Sequence, residues 1–504
     1  MGYAEAVEWI VTPTPDAAPD LLRALERPPE GATMVELRGD LYPAIDPADA
    51  VAHSPLPILY TLRSSAEGGR GPDDPSARRE RLARARDAGA ALLDLEAARD
   101  TGLIGALGLN PARIVLSWHD PERTPETLEA ELRALLDVPA GLAKAVPTPR
   151  SLDDLCRILE AGTRLNRSRR RKRLLLFGMG PYGLASRYLA PLIGPGIAYA
   201  AWSEGAAAAP GQVPLARLRA AIGHLAGPPQ AIHAVLGADV GGSLSPVLHG
   251  AGYAAAGLHR VMVPLTIRKA EELRAMAPAA GPRPLQEAAG IPVAGLAVTT
   301  PWKNEALALA ARSSPRARRA GAANTLILSG SGPLAENTDA DGVRGALVSA
   351  GIEAAGAEAV VQGTGGAARG AAVGLDLAGA RVVLRGRDGA RTRRVAGEIG
   401  VGALDPDEAA PPGAILVNAT PLGRRADDPL PFRPGEIAAA RAIVDMVYGG
   451  PASLAEAAAR AGVPAIDGID VLLHQGLAQF AAMTGTVPPR RAMEAAVRRF
   501  SPRR

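Results

Sequence analysis

Up to about residue 203 the chain repeats one pattern, a short and largely apolar run followed by a stretch long enough to hold a helix. The runs are VEWIVTP, MVELRGD, PILYTLR, ALLDLEA, RIVLSWH, LAKAVP, RLLLFGM and IAYAAW. Strands buried on both faces read as continuous apolar runs, and helical crossovers make such strands parallel. Eight of them in about 200 residues predict a (β/α)8 (TIM) barrel.

The polar residues of this half gather where the runs end. Glu36, Arg38 and Asp40 close the second, Arg63 the third and His119 the fifth. Asp94 and Glu96 lie on the fourth, and Lys144 lies on the sixth. A barrel brings the C-terminal ends of its strands around one mouth, where active sites form. Lys144 stands out within Leu142-Ala143-Lys144-Ala145-Val146. An apolar setting there predicts a desolvated amine, costly to bury unless something compensates. Taken alone, the run reads first as a strand-end lysine whose stem reaches back to water.

The 504 residues exceed what one core supports, so two or three domains are expected. With 47 % hydrophobic and 21 % charged residues, the composition is that of a globular protein rather than a disordered one. The net charge of +4 is small. The basic run RLNRSRRRKR (164–173) reads as a solvated helix end complementing the helix dipole. No aromatic or finger motif accompanies it, which argues against nucleic acid. A single cysteine, Cys156, excludes a disulfide framework and a multi-cysteine metal site and fits a reducing compartment. The N-terminus MGYAEAVEWI has no signal pattern, and no uninterrupted apolar span reaches membrane length. A cytoplasmic location with no membrane partner is expected.

A Gly-Pro-Pro break in AIGHLAGPPQAIHAVLG (221–237) places a domain boundary near residues 226–231. Two α/β lobes follow, the first running to ENTDADG (336–342). The second opens with VVQGTGGAARG, a G-x-G-x-x-A pattern at Gly363, Gly365 and Ala368 between a strand and a helix. Its backbone N–H groups and helix N-terminus can hold a pyrophosphate. The next strand, ARVVLRGRD, brings Arg387 to the position that suits a 2′-phosphate, which favours NADP over NAD. Asp388 would oppose that phosphate if it pointed inward. Upstream, GGSLSP, AVTTPWK, GAANT and ENTDADG concentrate polar residues at loop-like breaks. Each could be an ordinary turn, but four beside a nucleotide loop suggest a pocket for a polyhydroxylated, anionic small molecule.

These motifs carry a family resemblance in each half. Through SLSP, VTTPWK, GAANT, NTDADG, GTGGAARG, VNATPLG, VDMVY and IDGIDVLLHQG, residues 231–504 resemble shikimate dehydrogenase. Through ELRGD, TLRSSAEGG, SWHD, LAKAV, MGPYGLASR and APGQ, residues 1–226 resemble type I 3-dehydroquinate dehydratase. The resemblance implies a bifunctional enzyme of the shikimate pathway to chorismate and the aromatic amino acids. It would be a lyase that forms 3-dehydroshikimate from 3-dehydroquinate, joined to an NADPH-dependent oxidoreductase that makes shikimate. The implied domains are the dehydratase barrel at 1–226, a substrate domain at 231–342 completed by 475–504, and a Rossmann NADP domain at 343–474.

For the first half the resemblance implies Lys144 as the Schiff-base lysine, His119 as the proton-transfer group and Glu67 as its partner. Glu36, Arg38, Arg63, Arg187 and Gln212 would hold the substrate. For the second half it implies Lys303 and Asp339 as the catalytic pair, with Ser243, Ser245, Thr299, Asn324, Tyr448 and Gln475 around the substrate. Gly363, Thr364, Gly365, Gly366, Ala367, Arg387, Arg391, Met446 and Gly468 would hold NADP, and no metal is implied. Residues Gly386 to Arg391 replace the family's Asn-Arg-Thr/Ser pattern with Gly-Arg-Asp, keeping only Arg387, which makes the cofactor the weakest inference from the resemblance. Three single positions also depart from the family pattern. Ala208 replaces a frequent serine four residues before Gln212, Ala297 a frequent asparagine, and Arg424 a methionine after NATPLG. The first is expected to weaken substrate binding. Two other readings are a quinate dehydrogenase fused to the dehydratase and a catalytically inactive repressor. Intact Ser243-Leu244-Ser245 opposes the former, and retention of Lys144, His119, Lys303 and Asp339 opposes the latter. A monomer or homodimer is expected.

Overall fold

The computed structural model describes residues 7–16, 20–167, 173–279, 281, 283–451 and 453–501. The middle of the basic run, 168–172, lies outside the described residues. The chain forms two compact units, one built mainly from residues up to Ala231 and one mainly from Ile232 onward.

Each of the eight apolar runs in the first unit becomes a strand. These are β1 (Glu8–Thr12), β2 (Met34–Arg38), β3 (Ile58–Thr61), β4 (Leu92–Glu96), β5 (Ile114–His119), β6 (Leu142–Val146), β7 (Leu174–Leu176) and β8 (Ile197–Ala201). They form one parallel sheet in the order β7-β6-β5-β4-β3-β2-β1-β8. Pairing of β1 with β8 wraps the sheet into a nearly closed barrel; among the described residues no ladder joins β7 to β8. Ile10, Leu59, Val115, Leu142 and Leu175 pack in one buried cluster with Phe177 and Tyr199.

The helices between strands follow local signals. Helix Pro75–Asp87 starts with proline in its first turn, and the Asp74 carboxylate accepts from the Ala77 N–H at 2.8 Å. Helix Leu128–Asp137 buries Leu128, Leu132, Leu135 and Leu136, a stripe at helical spacing. Helix Gly180–Ile193 lies so close to the chain after β7 that a Cβ on Gly183 would sit 2.4 Å from the Gly178 carbonyl oxygen. Only glycine permits that approach.

In the second unit, a six-stranded mixed sheet runs Ala231–Gly237 parallel to Val293–Val298, which pairs antiparallel with Thr325–Ile327. A second six-stranded sheet is wholly parallel, with Glu358–Gln362 between Arg381–Arg385 and Ile415–Asn418. Helices Gly366–Leu377 and Gly389–Ile399 follow its first two strands, which is the Rossmann pattern. Helix Gly468–Thr484 places Ile469, Leu472 and Phe480 in one core with Val235 and Tyr253. It also crosses helix Asp339–Ser349 closely, because a Cβ on Gly342 would lie 2.9 Å from that of Gln475. Among the described residues no helix is long and apolar enough to cross a membrane.

Candidate active sites

A cavity of about 270 Å³ opens at the barrel mouth. Glu36, Arg38, Arg63, Glu67, His119, Lys144, Arg187 and Gln212 all line it. Strand register begins to explain the convergence, since Lys144 on β6 faces Ser117 on β5, which faces Glu96 on β4.

Lys144 is buried, and its surroundings correct the expectation of an apolar pocket. Its Nζ lies 2.6 Å from Asp94 Oδ2 and 3.8 Å from Glu36 Oε1. The ammonium also sits over the Tyr199 ring, 4.5 Å from the centroid. A carboxylate and an aromatic face therefore compensate the burial that the apolar run alone would leave uncompensated. Burial by itself would push the Asp94 carboxyl up, but Lys144 and Arg63 outweigh it and hold it down at about 2.

Arg63 is the hub of the floor. It donates to Glu67 at 2.8 Å, Ser117 at 3.0 Å, Glu96 at 3.2 Å and Asp94 at 2.9 Å. Its guanidinium is thereby committed to protein groups. Beside it, His119 Nδ1 lies 2.9 Å from Glu67 Oε2. Burial, with Arg63, Lys144, Arg38 and Arg187 nearby, drives the His119 pKa well below its usual value, so the ring is neutral. An ionised Glu67 fixes the hydrogen on Nδ1 and leaves the Nε2 lone pair as a base.

Arg187 is different. Among the described residues no acidic side chain pairs with it. It rests on the Phe177 ring at 4.8 Å, donates to the Pro210 carbonyl at 3.2 Å, and leaves Nε without a partner. Burial lowers its pKa to about 10. A buried cation lacking a counter-charge is a seat for an anion. Arg38, by contrast, is held by both Asp40 oxygens at 2.7 Å. Gln212 ties the covering loop down, accepting from the Ala208 N–H at 2.8 Å and donating to Thr12 at 3.3 Å. Thr12 in turn donates to Glu36 at 2.7 Å.

The second unit brings Lys303 and Asp339 together, Nζ to Oδ2 at 2.5 Å, with both side chains buried. Asn324 donates to Asp339 Oδ1 at 2.9 Å and to Thr338 at 3.0 Å, and Gln475 donates to Thr338 at 2.9 Å. Ser243 and Thr299 follow neighbouring parallel strands. Ser243 Oγ accepts from the Ser245 N–H at 3.2 Å at the start of helix Ser245–Ala255. Tyr448 and Gly468 line a smaller cavity of about 70 Å³ with Asp445 and Asp467.

The glycine loop meets the lysine directly. A Cβ on Gly366 would fall 2.7 Å from the Lys303 Cβ. Gly363 holds φ +127°, and nothing lies within 4 Å of where a Cβ on Gly365 would stand. The loop is therefore an open cradle at the N-terminus of helix Gly366–Leu377, which fits a pyrophosphate. Gly386 abuts Thr364, its missing Cβ 3.0 Å from the threonine methyl, so the Arg387 loop borders the same cradle. Arg387 and Arg391 are exposed. The Asp388 carboxylate caps helix Gly389–Ile399, accepting from the Arg391 N–H at 3.0 Å. Met446 contributes its backbone N–H to the Asn418 carbonyl at 3.0 Å.

Comparison with known proteins agrees with this geometry. A type I 3-dehydroquinase model matches residues 10–227, a shikimate dehydrogenase substrate-binding domain model 235–326, and a shikimate 5′-dehydrogenase C-terminal domain model 468–498. A shikimate dehydrogenase (NADP(+)) of Halobacterium salinarum is 37 % identical over 271 residues, covering 53 % of this chain and 98 % of that protein. The chain belongs to the shikimate dehydrogenase family. Its first half is a type I 3-dehydroquinase domain. The Rubrobacter xylanophilus shikimate dehydrogenase (NADP(+)) is 40 % identical over 275 residues, covering 52 % of this chain and 94 % of that protein. A solved structure of dehydroquinate dehydratase and shikimate dehydrogenase from S. pombe AroM aligns over 98 % of both chains at 24 % identity, with TM-score 0.43.

Several groups in and beneath the barrel cavity escape sequence reading. Tyr199 and Phe177 look like core aromatics, yet their rings carry Lys144 and Arg187. Arg78 sits in the charge-rich helix PSARRERLARARD but is 1 % exposed, held by both Asp100 oxygens at 2.7 and 2.8 Å and close to Glu96. No local pattern distinguishes it from the solvated arginines around it. In the dehydrogenase unit, Thr338 links Asn324 with Gln475, and its place directly before Asp339 was the available signal.

Proposed function

We propose that the chain catalyses two consecutive reactions, dehydration of 3-dehydroquinate on Lys144 and NADPH-dependent reduction of the product to shikimate. The observation that carries this reading is Arg187, a buried cation without an acidic partner, in one cavity with Lys144 and His119. Such a site selects an anion and sets an amine and a base beside it. Lys144 adds to the substrate ketone, and loss of that oxygen as water gives a protonated imine. His119 Nε2 removes the proton from the neighbouring carbon, and the electron pair moves into the imine to form an enamine. The enamine expels the β-hydroxyl, which takes its proton from His119. Hydrolysis then releases the product and restores Lys144, so the net change is loss of one water.

In the second reaction the nicotinamide cofactor, when bound, supplies hydride. Gly363, Thr364, Gly365, Gly366 and Ala367 would hold its pyrophosphate, with Arg387 and Arg391 available for a 2′-phosphate and Met446 and Gly468 beyond. Lys303 delivers a proton to the carbonyl oxygen that becomes a hydroxyl, and Asp339 orients it. The NADP-dependent relatives support this cofactor over NAD. The capping role of Asp388 supports the same choice, because its carboxylate is used by the backbone. The motif boundaries support a barrel at 1–226, a substrate domain at 231–342 completed by 475–504, and a Rossmann domain at 343–474.

A coupled assay tests the whole reading. Purified protein given 3-dehydroquinate and NADPH should oxidise one NADPH per shikimate released, with NADH used less efficiently. NADPH oxidation with 3-dehydroshikimate but none with 3-dehydroquinate would remove the first activity from the proposal.

The Glu67–His119 pair predicts the pH response of the first step. Burial pushes the Glu67 carboxyl up to about 7, with Arg63 partly opposing. The carboxylate form is the one that orients His119 as a base, so dehydratase kcat should rise as pH increases through about 7. His119 is already neutral over this range, so the limb belongs to Glu67. Glu67→Gln should lower kcat and flatten that limb, as read from kcat against pH between about 5.5 and 8.5.

A further inference from the structure

Behind the Lys303–Asp339 pair runs a buried polar chain that the reaction above does not use. Gln479 is 2 % exposed. Its Nε2 donates to Thr325 Oγ1 at 2.8 Å and to the Asn324 carbonyl oxygen at 3.3 Å. Its Oε1 lies 3.2 Å from His249 Nε2. His249 Nδ1 lies 3.4 Å from the Tyr253 hydroxyl, which lies 2.6 Å from His233 Nδ1. On the other side, Thr325 Oγ1 donates to Asn324 Oδ1 at 3.0 Å, and Asn324 Nδ2 reaches Asp339 Oδ1.

The ends of this chain dictate the direction of every hydrogen in it. The Asn324 carbonyl oxygen can only accept, so the nitrogen of the Gln479 carboxamide faces it. The carboxamide oxygen then faces His249, whose Nε2 must carry its hydrogen. His249 Nδ1 is left to accept from Tyr253, which accepts in turn from His233. Burial keeps both rings neutral, holding His249 down at about 4 and His233 at about 3. Thr325, having accepted from Gln479, has its own hydrogen for Asn324 Oδ1. The Thr338 N–H donates to that same oxygen at 2.8 Å. With its oxygen held by Thr325 and by both the N–H and the hydroxyl of Thr338, the Asn324 amide can present only N–H to Asp339. A flipped amide would set oxygen against carboxylate.

We propose that Gln479 and Thr325 are positioning residues of the dehydrogenase, fixing the Asn324 amide so that it holds Asp339 Oδ1 and leaves Oδ2 to Lys303. The proposal rests on reading Lys303 and Asp339 as the proton-transfer pair. Neither positioning residue touches that pair; both act through Asn324, as supporting hydrogen bonds do around preorganised sites.

Thr325→Val removes the hydroxyl at nearly constant volume, and Thr325→Ser keeps it. In the full chain, Thr325→Val should lower kcat for 3-dehydroshikimate reduction about tenfold while KM changes less than about twofold. Thr325→Ser should stay within about twofold of the parent in both. Independently of activity, the side-chain NH2 of Asn324 in 15N-asparagine-labelled protein should exchange slowly in the parent and Thr325→Ser, and faster in Thr325→Val. Gln479→Met keeps the length but cannot donate to the Asn324 carbonyl, and should give the same loss and the same faster exchange if Thr325→Val does not fold. Unchanged kcat and exchange in Thr325→Val, or equal losses in Val and Ser, would overturn the proposal. A parent that exchanges as expected but reduces nothing would sink the functional reading and leave the positioning chain standing.

Discussion

Lys144→Met should abolish the dehydratase, lowering turnover of 3-dehydroquinate by about 10⁴-fold or more, because among the described residues no other lysine lines the cavity to form the imine. The residue is not replaceable by general electrostatics. Arg38 and Arg63 also supply positive charge at the mouth, but Asp40 binds one and Glu67, Glu96 and Asp94 bind the other. A guanidinium cannot be the nucleophile near neutral pH in any case. Methionine fills nearly the same volume, and Asp94 keeps Ser117 and Arg63 as partners, so the barrel should remain folded. The readout is twofold. Borohydride reduction with 3-dehydroquinate should add substrate mass to the peptide containing Lys144 in the parent and to none in Lys144→Met. Reduction of supplied 3-dehydroshikimate by the second unit should be unchanged. An active Lys144→Met, or an adduct on another peptide, would overturn the imine chemistry.

What made this site legible in the sequence was its periodicity. Eight apolar runs of strand length, each buried on both faces, leave few folds available, and the polar residues at their ends had to meet. The environment of Lys144 was not legible, because it is a cross-strand property. LAKAV contains no acid, and the compensating Asp94 stands two strands away within LLDLE, reached only once register sets β6 against β5 and β5 against β4. Arg78 was hidden for a similar reason: its partner Asp100 is 22 residues away in a different element. The chain behind Asp339 shows the same limit. His249, Gln479 and Thr325 come from three distant segments, and each alone looks like an ordinary core or loop residue. The glycine loop lay between these cases. Its pattern was visible, but the requirement for glycine at 366 comes from Lys303, in the other lobe.

Lys303→Met and Asp339→Asn should each lower kcat of the dehydrogenase by about 10²–10⁴-fold and leave the dehydratase untouched. Their double variant should be no slower than the worse single one. The reason is geometric: with Nζ on Oδ2 at 2.5 Å, the two side chains form one proton-delivery unit, and removing either removes the unit. Stability should separate them where activity does not. Lys303→Met leaves a buried carboxylate with Asn324 as a neutral donor, and breaking a buried pair in this way costs about 3–5 kcal/mol. Asp339→Asn in the same chain removes that stranded charge. The double variant should therefore melt above Lys303→Met while remaining as inactive. Multiplicative losses in kcat would mean that Lys303 and Asp339 act on the substrate independently, and an equal Tm for Lys303→Met and the double variant would mean that Asp339 is not ionised once its lysine is gone.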